Sequence, residues 1–111
     1  MKNISIINLQ DYRTQGSRVF TGRDRGIEVR DASKINQIEE HSDEVVIKIP
    51  DDIGSINPSF LEEFLLNVVV KLKPENFFKK FRFENNGRYK ITKDLEEAVE
   101  RILREETALV R

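Results

Sequence analysis

The chain has 111 residues, of which 38% are hydrophobic and 35% charged, with a formal net charge of −1, one histidine and no cysteine. That length sets a single domain, residues 1–111, with one modest core, and the missing cysteine excludes disulfides, thiol chemistry and Cys-ligated zinc within it. The near-neutral charge argues against a nucleic-acid coat or a membrane-surface protein; no apolar run reaches the roughly 18 residues of a membrane span, the run near the start is too short for a secretory signal, and a cytoplasmic location is the expectation.

Ile4, Ile6 and Ile7 lie in a β-branched run that predicts a first strand over residues 3–9. Residues 10–22, with Gly16 and Gly22, read as an irregular loop holding a short extended piece at Arg18-Val19-Phe20. From Asp24 to Glu40, Ile27, Ala32, Ile35 and Ile38 recur at roughly helical spacing, as one helix or two broken near Ser33. The apolar run Val45-Val46-Ile47-Lys48-Ile49 predicts a buried strand over 44–49, ended by Pro50-Asp51-Asp52.

Asn57-Pro58 reads as an N-cap followed by a proline in the first helical turn, while Ser59-Phe60-Leu61-Glu62 fits a capping box that starts slightly later. This helix runs to about Leu72 and ends before Pro74. Phe60, Leu61, Phe64, Leu65, Val68, Val69 and Leu72 cover a wide face, so the helix is expected to be buried over much of its circumference. Val68-Val69-Val70 is poor helix material and leaves a strand reading open there. A short helix over 74–80, a strand at Phe81-Arg82-Phe83, a turn at Asn86-Gly87 and a further extended piece at Tyr89-Lys90-Ile91 follow. In the last helix, capped by Thr92 or Asp94, Leu95, Ala98, Val99, Ile102 and Leu103 repeat at i, i+3, i+4, i+7 and i+8. These elements make an α/β or α+β domain. Phe77 and Leu109 stand out as apolar surface residues able to seal a dimer.

The residues offer several chemistries, each with an ordinary counterpart. His41 lies between a helix and a strand; a general base there needs a nucleophile and an orienting group, and a solvated helix C-terminus explains it as well. Asp51-Asp52 follows a strand's carboxyl end, where open α/β sheets bind ligands, and could hold Mg²⁺, or simply form a turn. Arg13, Arg18, Arg23, Arg25 and Arg30 crowd one segment and suit phosphate or carboxylate recognition, although Asp24, Glu28 and Asp31 can pair with them. Ser55, Asn57 and Ser59 gather at a helix mouth, where a phosphate on Ser59 meets free backbone N–H groups and the positive end of the helix dipole. A plain cap is the alternative.

The combination of Tyr12-Arg13-Thr14-Gln15-Gly16-Ser17-Arg18, then Gly26-Ile27-Glu28-Val29-Arg30, then Ser59-Phe60-Leu61-Glu62-Glu63 resembles the STAS-like domain family of unknown function. The resemblance runs from about Arg13 to Leu103. It implies a small mixed β-sheet of about four strands with helices packed chiefly on one face. It also implies kinship with anti-sigma-factor antagonists, in which a serine at the start of this helix is phosphorylated by a kinase with a histidine-kinase-type ATPase fold. Overlaid on this chain, the acceptor position falls on Pro58 or Ser59.

The expected function is a non-enzymatic regulatory module that binds a protein partner, an ATPase-type kinase or an anti-sigma-like protein, with no cofactor or metal. Ser59 or Ser55 is the candidate phospho-acceptor. Arg18, Arg23, Arg25, Arg30, Asn57, Glu62 and Glu63 are the candidate partner- or anion-binding residues, and the resemblance implies that Arg30 pairs with Glu62 or Glu63. A second expectation, from another class, is a small anion- or nucleotide-binding domain using Arg18, Arg23, Arg25 and the Asp51-Asp52 loop.

Overall fold

The apolar run Val45-Val46-Ile47, buried at all three positions, lies in β3 (Glu44–Ile49), the centre of a three-stranded sheet. The computed structural model describes residues 2–110, with side chains through residue 106. β1 (Ile4–Asn8) and β5 (Phe81–Asn85) flank β3, and both pairings are parallel, with Ile6 beside Val46 and Val46 beside Arg82. Two minimal strands, β2 (Val19–Phe20) and β4 (Ser55–Ile56), form a separate parallel pair. The arrangement therefore differs from one mixed sheet of about four strands: it is three strands plus two. Parallel neighbours need long crossovers, and helices supply them here, α1 (Arg23–Ser33) and α2 (Ile35–Glu40) between β1 and β3, and α3 (Pro58–Lys80) between β3 and β5.

The expected break near Ser33 falls at Lys34, whose φ of 56° is left-handed and separates α1 from α2. A second left-handed residue, Lys73 at φ 67°, kinks α3 just before Pro74. That proline disfavours helical geometry in the residue before it, so helix 58–72 ends where expected and 74–80 forms a second short piece. Val68 and Val69 are helical and buried; burying apolar groups of this size contributes about 1.5–3 kcal/mol each, which outweighs their weak propensity.

The core lies between the sheet and the helices. It contains Ile7, Val45, Ile47, Ile49 and Phe81 from the strands, Phe60, Phe64 and Phe77 from α3, and Leu95, Val99 and Ile102 from α4 (Thr92–Val110). Phe77, expected at the surface, is fully buried, stacked on Phe81 with ring centroids 4.9 Å apart. The side chain of Leu109 lies outside the described residues.

Tyr89-Lys90-Ile91 is not a strand. Side chains rather than a ladder hold it: the Tyr89 hydroxyl lies 2.6 Å from Asp94 Oδ2 and 3.1 Å from Ile56 O, and Ile91 is buried. Burial, then the bond to Asp94, pushes the Tyr89 hydroxyl well above its ordinary pKa. No helix among the described residues is long and apolar enough to cross a membrane.

Glu39, at the end of α2, is only 3% exposed. Lys71 Nζ donates to its Oε1 at 2.7 Å, and Lys80 Nζ to its Oε2 at 2.8 Å, tying α2 to both halves of α3. Burial raises the pKa of this carboxyl, but the two lysines together more than reverse that and hold it below its ordinary value. A depressed folded-state pKa gives stability that is complete above the unfolded pKa and lost as pH falls through the folded one. We therefore expect the denaturant midpoint to fall as pH drops below about 5, with a shallower fall in Glu39→Gln. An equal fall of the urea midpoint with pH in the two proteins would refute the assignment.

Candidate functional site

The mouth of α3 is built by three residues in succession. Asn57 is extended (φ −74°, ψ 140°), and its side chain accepts the Ser59 backbone N–H, so Asn57 is the N-cap and Pro58 the first helical residue. The later start implied by a Ser59 capping box is not adopted. The Ser59 hydroxyl turns back and donates to the same Asn57 Oδ1 at 2.9 Å. Ser55 is exposed on β4, beside Val19 in register. Backbone bonds from Gly54 N to Arg18 O (2.7 Å) and from Asn57 N to Phe20 O (2.8 Å) fasten this loop to β2. Phe20 then packs on Phe60, with ring centroids 5.1 Å apart.

One turn further along α3, Glu62 is 2% exposed. Arg23 Nη1, from the first turn of α1, donates to Glu62 Oε2 at 3.0 Å and to Glu63 Oε2 at 3.1 Å. Arg101 Nη1, from α4, donates to Glu62 Oε1 at 3.1 Å. One buried carboxylate thus joins three helices. Arg30 Nη1 donates to the Glu63 backbone carbonyl at 2.7 Å and lies 3.7 Å from its carboxylate, so the expected partner among the two glutamates is Glu63. Arg23 and Arg101, with Arg104 and Glu105, line an open depression of about 410 Å³ above Glu62.

The helices approach closely enough to need a glycine. A Cβ on Gly26 of α1 would lie 2.4 Å from Phe60 O and 2.9 Å from Glu63 Cβ of α3. Gly26 therefore allows the contact that places Arg23 and Arg30 over Glu62 and Glu63.

The other arginines go elsewhere. Arg18 lines a depression with Gln10, Arg13, Gly16 and Asp52, while Arg25 donates to the Tyr12 carbonyl and lines another with Asp11 and Glu28. Arg18, Arg23 and Arg25 thus line three different depressions. Arg13 forks onto Asp52, at 2.8 and 3.2 Å, and that hydrogen bonding keeps the Asp52 carboxyl below its ordinary pKa. Asp51 and Asp52 occupy a turn, and no group of three or more potential metal ligands occurs among the described residues. His41 is exposed and ends α2, its backbone N–H bonded to Gln37 O and Ile38 O.

Arg101 and the Tyr89–Asp94 pair are parts of this region that sequence reasoning missed. Arg101 stands on the polar stripe of an amphipathic helix and forms an i, i+4 pair with Glu97 at 2.6 Å, the signature of a solvated face; its reach to a buried carboxylate depends on how α4 packs. Comparison with protein-family models, with curated proteins and with solved structures found no match for this chain. Fold and site together define a small α/β domain with a cluster of ion pairs at a junction of three helices.

Proposed function

We propose that this chain is a non-enzymatic regulatory module that binds another protein through the loop and helix 53–64 and the adjoining start of α1. A phosphoryl group on Ser59 switches the affinity, with Ser55 as the second acceptor. The observation that carries this reading is the Ser59 hydroxyl bonded to Asn57 Oδ1 at the mouth of α3. A phosphate ester there has no proton to donate, and sets anionic oxygens against the Asn57 carbonyl oxygen that caps the helix. It also competes for the free N–H groups of the first turn.

The charge pattern gives the switch a second element. Ser59 and Glu63 are four apart on one helix and share a stripe, so a phosphate of about −1.5 to −2 charge would repel Glu63 and compete for Arg23. Arg23 is half-exposed and bridges Glu62 and Glu63. Drawing it toward the phosphate changes both the charge and the shape of the surface. The resemblance to STAS-like domains supports the same reading and suggests an ATPase-type kinase or an anti-sigma-like protein as the partner, in a cytoplasmic setting.

Affinity capture of the tagged chain from its native host, with mass spectrometry of bait and partners, provides the test. An ATPase-type kinase or anti-sigma-like protein should be recovered, with phosphate on Ser59 or Ser55. Ser59→Asp should weaken the recovered complex roughly tenfold, the effect of about 1.4 kcal/mol at one contact, while Ser59→Ala retains it. Equal binding by both variants removes the switch.

A further inference from the structure

The two edges of the three-stranded sheet are unlike. β5, Phe81–Asn85, carries Arg82 and Glu84, which pair across the sheet surface with Glu44 (3.7 Å) and Lys48 (3.8 Å). Charges on an edge strand guard it against pairing with another chain. β1 at the other edge reads Ile4-Ser5-Ile6-Ile7-Asn8. It has no charge and no proline, and β3 is its one strand neighbour among the described residues.

The direction of the β1 backbone follows from its register. Glu44 N–H donates to Asn3 O, and groups pointing to one neighbour alternate along a strand. The amides and carbonyls of Ser5 and Ile7 therefore face β3, and those of Ile4 and Ile6 face the open edge. The side chains of the same two residues stand on the sheet surface away from the core, 49% and 57% exposed, beside Glu44 and Val46 in register. Parallel sheets are normally covered on both faces. Here unpaired backbone groups and exposed apolar side chains coincide on one strand.

We propose that this edge is a homodimer interface: β1 of a second copy pairs antiparallel with β1, making one continuous six-stranded sheet. β1 is its own complement. A two-fold axis at Ile6 sets Ile6 against Ile6 and Ile4 against Asn8, brings the exposed isoleucines together on one surface, and opposes no like charges. Such a contact is isologous and closes on itself; the charged β5 edges then end the sheet at two copies. The helices lie on the other face, so the 53–64 surface stays free in the dimer, and this inference stands apart from the proposed switch.

The test is sedimentation of the whole chain over a range of concentrations, alongside Ile6→Lys, Ile6→Pro and Arg82→Ala. Because the Ile6 N–H faces outward, proline there leaves the β1–β3 ladder intact. The native chain and Arg82→Ala should dimerise. Both Ile6 variants should weaken the dimer roughly a hundredfold, since symmetry removes two central hydrogen bonds or their apolar contact at once. Hydrogen exchange on the native chain reads the same contact without a mutation: the Ile4 and Ile6 amides should gain protection as concentration rises. A native chain that is monomeric throughout, dimers that survive both Ile6 changes, or rapid exchange at Ile4 and Ile6 within the dimer would each overturn the proposal.

Discussion

Gly26→Ala is expected to lower stability by about 2 kcal/mol, and Gly26→Val by about 3 kcal/mol or more, within and at the top of the range for overpacked contacts. The sign runs against helix propensity, since alanine at an exposed helical position gains about 1 kcal/mol over glycine. Here the new Cβ would meet Phe60 O at 2.4 Å, a backbone atom in the first turn of α3. A backbone carbonyl cannot swing aside like a flexible side chain, so α1 must move off α3. At 4–8 °C per kcal/mol for a domain of about 100 residues, the melting midpoint should fall by roughly 10 °C for alanine. Gly54→Ala is the control: its Cβ would meet Arg18 O at an ordinary 3.6 Å. An unchanged midpoint in Gly26→Ala would mean that the helices do not approach this closely. The displacement also moves Arg23 and Arg30 from Glu62 and Glu63, so the proposed partner binding should weaken together with stability.

The elements legible in the sequence were those set by local pattern. β1 and β3 followed from β-branched runs, the start of α3 from Asn57-Pro58, its interruption from Pro74, and α4 from an unbroken apolar period. The sheet's composition was less accessible, because Tyr89-Lys90-Ile91 looks extended yet is held by a hydroxyl on Ile56 O and Asp94 and by the burial of Ile91. The bond to Ile56 O joins segments 33 residues apart, and no local pattern reports it.

The candidate site divides along the same line. The cap at Asn57 is local and was legible. The resemblance implied Arg30 with Glu62 or Glu63, and Arg30 meets Glu63. The cluster of arginines in one segment suggested convergence, but Arg18, Arg23 and Arg25 line three different depressions, with Arg13 shared between those of Arg18 and Arg25. Arg101 comes from the far end of the chain to complete the pairing of Glu62. Nearness in sequence predicts a shared pocket only where the intervening backbone turns the side chains the same way.

Removing both arginines from Glu62 should cost far more than removing either. In Arg23→Ala the carboxylate keeps Arg101, and in Arg101→Ala it keeps Arg23, so each single loss should be about 1 kcal/mol. Arg23→Ala/Arg101→Ala takes both cationic partners from a carboxylate that is 2% exposed in the native chain, and breaking a buried pair in this way costs about 3–5 kcal/mol. The excess over the sum of the singles measures the coupling. Adding Glu62→Leu to the double variant should recover most of the loss, because a well-packed apolar side chain can replace a buried ion triad at little or no cost. Urea denaturation of the five proteins, native chain included, decides it; a triple variant no more stable than the double would show that the loss lies in packing rather than charge. The recovered triple variant then separates stability from recognition. It keeps Ser59 and the Asn57 cap but lacks the half-exposed Arg23 on which the proposed switch acts, so it should fold and yet lose the difference in partner affinity between the phosphorylated and unphosphorylated forms.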